Sequence, residues 1–146
     1  TTPTPPAHPS ATRTYTTGTY SADFPASWAL VSDNEDKGAY TETKMQSPDG
    51  GAAVLIDRSP GSALDPAVEA EGVRKDTAKT PGYHEVAFGY TTLGGRAAFE
   101  WIFDLPSGRR YDYFTNTSGG RFAVLGTGPD TSTSHKVARS VTASLR

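Results

Sequence analysis

The sequence predicts an α+β fold: an antiparallel twisted sheet, built from meanders and hairpins, flanked by helices. Three observations carry this reading. Short alternating segments rich in Tyr, Phe, Val and Thr recur along the chain, separated by turns such as Ser47-Pro48-Asp49-Gly50-Gly51 and Pro106-Ser107-Gly108. Hairpin connections of that kind fit an antiparallel sheet and argue against a doubly wound parallel one. Two segments, over 65–80 and 130–145, follow helical spacing instead, and they are segregated from the strand runs, which is the α+β pattern.

Each element has a local reason. Residues 1–14 carry Pro at 3, 5, 6 and 9 among Thr residues and no apolar periodicity. They read as a Thr/Pro linker or stalk, a semi-rigid polyproline-like spacer holding a module away from an upstream segment. Residues 15–146 then read as one domain. Tyr15 to Phe24 alternates and predicts a strand; Phe24-Pro25 breaks it, because Pro cannot donate to a ladder. Trp28 and Leu30 anchor a short strand, and Asp33 to Gly38 reads as a polar loop. Residues 39–46 and 52–58 form a hairpin around the Pro48-Asp49-Gly50-Gly51 turn. The helix over 65–80 takes Asp65 as N-cap and Pro66 at its first position, with Ala67, Ala70 and Val73 as a thin apolar face, and stops at Pro81-Gly82.

A meander follows, with strands over 83–93, 96–105, 109–115 and 121–126. Pleating places Ala97, Phe99, Trp101 and Phe103 on one face and Ala98, Glu100 and Ile102 on the other. Tyr111 and Tyr113 oppose Asp112 and Phe114. The closing helix carries the stripe Val137, Ala138, Val141 and Leu145, with a Thr or Ser at 131–133 as its cap.

Composition removes several classes of function. The net charge is −2, from 14 basic and 16 acidic residues well mixed along the chain, so no basic stripe invites nucleic acid. There is no apolar run near the ~20 residues that span a bilayer. Cys is absent, which excludes disulfides, thiolate metal sites and Cys nucleophiles.

Catalytic and metal motifs are missing. His8, His84 and His135 lack metal-ligand spacing. A Ser-His-Asp triad would need His84 or His135 beside a Ser and a carboxylate, and no Gly-x-Ser-x-Gly elbow marks a nucleophile. Asp33, Asn34, Glu35 and Asp36 offer oxygen ligands to a cation such as Ca²⁺, without EF-hand spacing, and read as a solvated connection. Gly126-Thr127-Gly128-Pro129-Asp130 has the look of a phosphate cradle, but Pro129 lacks an N–H and Asp130 repels anions, so it reads as a connector. Asn116-Thr117-Ser118 matches a glycosylation pattern and reads as a hairpin turn. The chain thus carries no catalytic residues, metal ligands or cofactor fingerprint. The aromatics are the candidates for ligand binding: Trp28, Tyr40, Tyr83, Trp101, Tyr111 and Tyr113. Most are needed in the core of so lean a chain; those left on an open sheet face would line a groove for a small ligand, peptide, glycan or protein.

The opening Tyr20-Ser21-Ala22-Asp23-Phe24-Pro25-Ala26-Ser27-Trp28, the helix ending in Thr80-Pro81-Gly82-Tyr83, and Leu93-Gly94-Gly95-Arg96-Ala97 leading into an aromatic strand together resemble PsbP-like (Mog/PsbP-fold) domains. More narrowly, stalk plus domain resembles the extracytoplasmic C-terminal region of actinobacterial membrane-anchored Ser/Thr protein kinases, or a related secreted lipoprotein. The resemblance implies binding rather than catalysis, since the family has no shared catalytic set. The expected function is a non-catalytic extracytoplasmic sensor or binding domain, with any kinase part and membrane span upstream. The alternatives are a free-standing secreted protein or lipoprotein and, third, a hydrolase with an unrecognised site.

Overall fold

A computed structural model describes residues 11–146; the predicted polyproline character of residues 1–10, with His8, lies outside the described residues. The chain forms, in order, β1 (Thr12–Thr16), β2 (Ser21–Pro25), β3 (Ala29–Asp36), β4 (Thr41–Gln46), β5 (Ala53–Ser59), α1 (Pro66–Thr77), β6 (His84–Leu93), β7 (Arg96–Leu105), β8 (Gly108–Thr117), β9 (Gly120–Thr127) and α2 (Thr131–Ser144).

Strands β3 to β9 make one antiparallel sheet of seven strands in the order β3-β4-β5-β9-β8-β7-β6. It consists of two meanders joined where β5 pairs with β9, and α1 carries the chain from the middle of the sheet to its far edge. The architecture is the predicted α+β arrangement. Helix α1 packs on β7 and β8, and α2 packs on β5, β8 and β9. Each helix has its own core. Ala70 of α1 sits on Phe99, Trp101, Phe103 and Phe114. On the opposite face, Val137, Ala138 and Val141 of α2, with Leu145 at its C-cap, meet Ile56, Tyr113, Phe122 and Val124. The helices therefore lie on opposite faces of the sheet, matching the alternation of the aromatic strands.

The β1–β2 hairpin is a second, separate sheet on the α2 side. The sequence reads a single strand over 15–24; the chain turns instead at Thr17-Gly18-Thr19. Thr17 Oγ1 accepts the N–H groups of Thr19 and Tyr20, both at 3.1 Å, a local turn that competes with extended pairing. The first strand also starts at Thr12, so Thr12, Arg13 and Thr14 pair with Pro25, Phe24 and Asp23. Tyr15, Tyr20 and Phe24 bury their rings against the main core, and Thr43 receives the Tyr20 hydroxyl at 3.2 Å and the Asn34 N–H at 3.0 Å.

Two further expectations need correction. Asp33 to Asp36 is not loop but the end of edge strand β3, which pairs with β4 through two register shifts; Asn34 takes a positive φ of 47° to accommodate the irregularity, a conformation Asn tolerates better than most residues. Val73 of α1 faces solvent at 47% exposure, so the helix buries little more than Pro66 and Ala70. The caps are both aspartates. Asp65 caps α1 as expected, through the Ala67 N–H at 2.9 Å. For α2 the cap is Asp130, not a residue at 131–133: it accepts the Thr133 N–H at 3.1 Å. Gly126 lets α2 approach β9 closely, since a Cβ there would lie 2.5 Å from the Ser134 carbonyl oxygen.

Candidate binding site

Helix α2 and the β1–β2 hairpin meet along a seam tied at its far end by the C-terminus. Ser144 Oγ accepts the Asp23 N–H at 2.8 Å. Arg146 exchanges backbone hydrogen bonds with Ser21 at 2.8 and 3.0 Å and pairs with Asp23 at 3.1 Å. Where the chain leaves the hairpin, the Trp28 N–H turns back to the Pro25 carbonyl at 3.0 Å, and Arg13 Nη2 donates to the Trp28 carbonyl at 2.7 Å. This turn leans Trp28 against α2 and opens a groove of about 510 Å³ between hairpin and helix.

Trp28 and Val137, 5% and 7% exposed, form the apolar base of the groove. Pro25 adds to the apolar surface, while Thr12, Ser27, Thr133 and Ser140 bring hydroxyls and Lys136 an ammonium group. Such a lining can hold an oxygen-rich ligand by hydrogen bonds while a cation faces its negative charge. Among the described residues, the lining holds no carboxylate or imidazole, the groups suited to moving protons at neutral pH.

The six predicted aromatics do not converge. Trp28 lines this groove. Tyr40 is half-buried beside the β3–β4 turn, in a shallower depression with Asn34 and Arg58. Trp101 is fully buried on the α1 face, its ring stacked 4.1 Å from Phe103, and its indole N–H donates to the half-buried Tyr83 hydroxyl at 3.1 Å. Tyr111 and Tyr113 lie under α2. The Tyr111 ring stacks on His135 at 4.3 Å. The fully buried Tyr113 donates to Glu100 at 2.8 Å, and Arg139 reaches the same carboxylate at 2.9 Å. Burial, and then the Glu100 carboxylate, raise the Tyr113 hydroxyl above its ordinary range, so it stays a neutral donor.

Neither histidine has the contacts a triad requires. His84 is exposed at the start of β6. His135, on α2, stacks on Tyr111 with a buried Nε2 that has no partner among the described residues, and burial lowers its pKa, keeping the ring neutral. Among the described residues, no set of three or more His, Asp or Glu side chains is placed to hold a metal ion, and no helix is long and apolar enough to cross a membrane.

Sequence reasoning missed Lys136, Thr133 and Ser140; their only signal is spacing along one side of α2. It also missed the carboxyls of Glu42, Asp57 and Asp112. Their signal is an acid at a position where pleating alternates with core residues, as in Val54-Leu55-Ile56-Asp57 and Tyr111-Asp112-Tyr113.

A seven-stranded antiparallel sheet with one helix on each face and a small hairpin beside the second helix defines an α+β domain of recognisable class. Among solved structures, the chain is similar to cyanobacterial PsbP (CyanoP) from Synechocystis sp. PCC 6803, determined in solution. The two share 14% identity over 96% of this chain and 94% of that one, with a TM-score of 0.57. At that identity the likeness shows the fold alone, and the fold is PsbP-like. No protein-family model matches the chain, and no curated protein matches it in sequence.

Proposed function

We propose that this chain is a non-catalytic extracytoplasmic binding domain, the sensor of a receptor-like, membrane-anchored actinobacterial Ser/Thr protein kinase whose catalytic part lies outside it. The observation that best supports a binding role is the Trp28 groove: an aromatic base with four hydroxyls and one ammonium group in its lining, and no acid–base pair among the described residues there. A fold of this class is compatible with many functions, so the site rather than the fold carries the reading. Its chemistry suits a small oxygen-rich anion-bearing ligand, such as an acidic glycan or an acidic peptide.

Two experiments test it. Amide NMR titration with acidic disaccharides and short acidic peptides is expected to move the signals of Thr12, Trp28, Thr133, Lys136 and Ser140, and Lys136→Ala is expected to weaken the effect. Shifts confined to other surfaces would remove the groove as the site. An antibody against the domain on fractionated source cells is expected to find a membrane-bound band far above 15.5 kDa. A band near that mass in the medium would replace the receptor with a free-standing secreted protein.

A further inference from the structure

Helix α1 covers β7 and β8, and among the described residues no helix covers the neighbouring β4-β5-β9 stretch of the same face. Leu55, Ala123 and Leu125 lie half-buried on it. Three carboxyls surround them. Asp57 pairs across the ladder with Glu42 on one side and with Ala123 on the other. Asp112 pairs with Leu125, so the two aspartates flank β9, offset by two residues along it and roughly 12 Å apart between Cα atoms.

This cluster is poorly compensated. Asp112 is only 8% exposed, and its Oδ1, like that of Asp57, is buried with no hydrogen-bond partner among the described residues. An unpaired buried carboxylate costs free energy that a packed interior does not return. The Glu42 and Asp57 carboxyls are within hydrogen-bonding reach of each other, which is favourable only while they share a proton. Of the basic groups nearby, Lys37 pairs with Glu35 at 3.2 Å, Arg121 with Glu69 at 3.0 Å, Arg110, two residues from Asp112, donates to Ser107 Oγ at 3.0 Å, and Lys44 lies opposite Leu55, two residues from Glu42.

We propose that this open sheet face is a docking site for a partner protein segment that presents an arginine or lysine side chain, flanked by an apolar residue, to Glu42, Asp57 and Asp112. The cation supplies the positive charge the three carboxyls lack, and the apolar neighbour covers Leu55 and Leu125. A guanidinium suits the cluster best, because its planar fork can bridge two carboxylates. Docking displaces the shared Glu42–Asp57 proton to solvent. Because Asp57 holds its proton up to about pH 7, the affinity rises with pH. The site is on the opposite face from the Trp28 groove and does not depend on it.

The test is amide NMR titration of the ¹⁵N-labelled domain with the tripeptide acetyl-Leu-Arg-Leu-amide, to about 10 mM so that millimolar affinity is visible. The expected result is a set of shifts confined to residues 42, 55, 57, 112, 123 and 125. Binding should be tighter at about pH 8 than at about pH 5.5, and at least tenfold weaker in Asp57→Asn, whose fold the same spectra verify. Absence of shifts at those residues overturns the proposal, as does an equal response to acetyl-Leu-Glu-Leu-amide or undiminished binding by Asp57→Asn. Shifts there with Ca²⁺ but not with the peptide overturn it in favour of a metal site. Shifts at Thr12, Trp28 and Lys136 alone would belong to the groove and equally count against this face.

Discussion

Replacing Asp57 by Asn should make the domain more stable in mildly alkaline solution. Burial, and then the adjacent Glu42 carboxyl, raise the Asp57 pKa from its ordinary 3.8 to about 7. The folded state therefore holds a proton that the unfolded chain releases. The stabilisation linked to that proton is complete below pH 3.8 and is lost as pH rises through about 7. A shift of this size corresponds to at most about 4 kcal/mol. Asp57 is only half-buried and solvent screens it, so about 2 kcal/mol is the working figure. Asn keeps the shape and cannot ionise, so the variant avoids the loss. Urea denaturation of both proteins at about pH 4.5 and about pH 8 measures it through the midpoint and slope. The two should differ little at the acid end, and Asp57→Asn should lead by about 2 kcal/mol at the alkaline end, or roughly 8 °C in Tm. Parallel stability–pH curves for the two proteins would refute the reasoning, because Asp57 would then not be the proton-linked group.

Gly126→Ala should lower stability by ~1–3 kcal/mol, since the new Cβ is placed 2.5 Å from the Ser134 carbonyl oxygen and α2 must lift from β9; thermal melting monitored by circular dichroism reads the loss. Trp101→Ala should cost ~3–5 kcal/mol, because losing a fully buried ring stacked on Phe103 leaves a cavity and removes the indole N–H that the Tyr83 hydroxyl accepts; denaturant unfolding should show a lower midpoint. Asp65→Ala should cost ~1 kcal/mol through the lost α1 cap, and amide hydrogen exchange should rise first in the helix's opening turn. Trp28→Ala should abolish any ligand-induced shift at Thr133 and Lys136 while leaving the Asp57 signals in place, a separation checked in one pair of NMR spectra.

Much of the fold was legible because local chemistry and global packing agree. The Pro48-Asp49-Gly50-Gly51 turn, the Asp65-Pro66 start of α1, and the alternation of Phe99, Trp101 and Phe103 each point to the element that forms. Misreadings arose where a local signal was weak or was overruled by pairing. The run Asp33 to Asp36 is polar enough to read as loop, yet β4 offers it a ladder at the sheet edge, where charged side chains remain solvated. Tyr15 to Phe24 alternates well on both sides of Gly18, so alternation alone could not expose the turn between β1 and β2. The candidate site was less legible still. The aromatics are spread over both cores and both ends of the domain, and their residue types are the same whether they pack or bind. The groove arises from the approach of two segments more than a hundred positions apart, joining Thr12 and Trp28 to Thr133 and Lys136. No local pattern encodes that distance.

The pairing of Arg146 with Ser21 also has a kinetic meaning. Strand β2 needs the last residues of α2 and the segment beyond it to complete its hydrogen bonds. During synthesis the hairpin can form early, but its partner on the α2 side emerges more than a hundred residues later. Until then Tyr15, Tyr20 and Phe24 lack the Val141 and Leu145 side of their core, and the apolar face they share with the sheet stays open to solvent or to a chaperone. A chain cut after residue 140 is therefore expected to remain protease-sensitive where the full chain is protected. The domain therefore closes only once residues 141–146 are available to seal the hairpin.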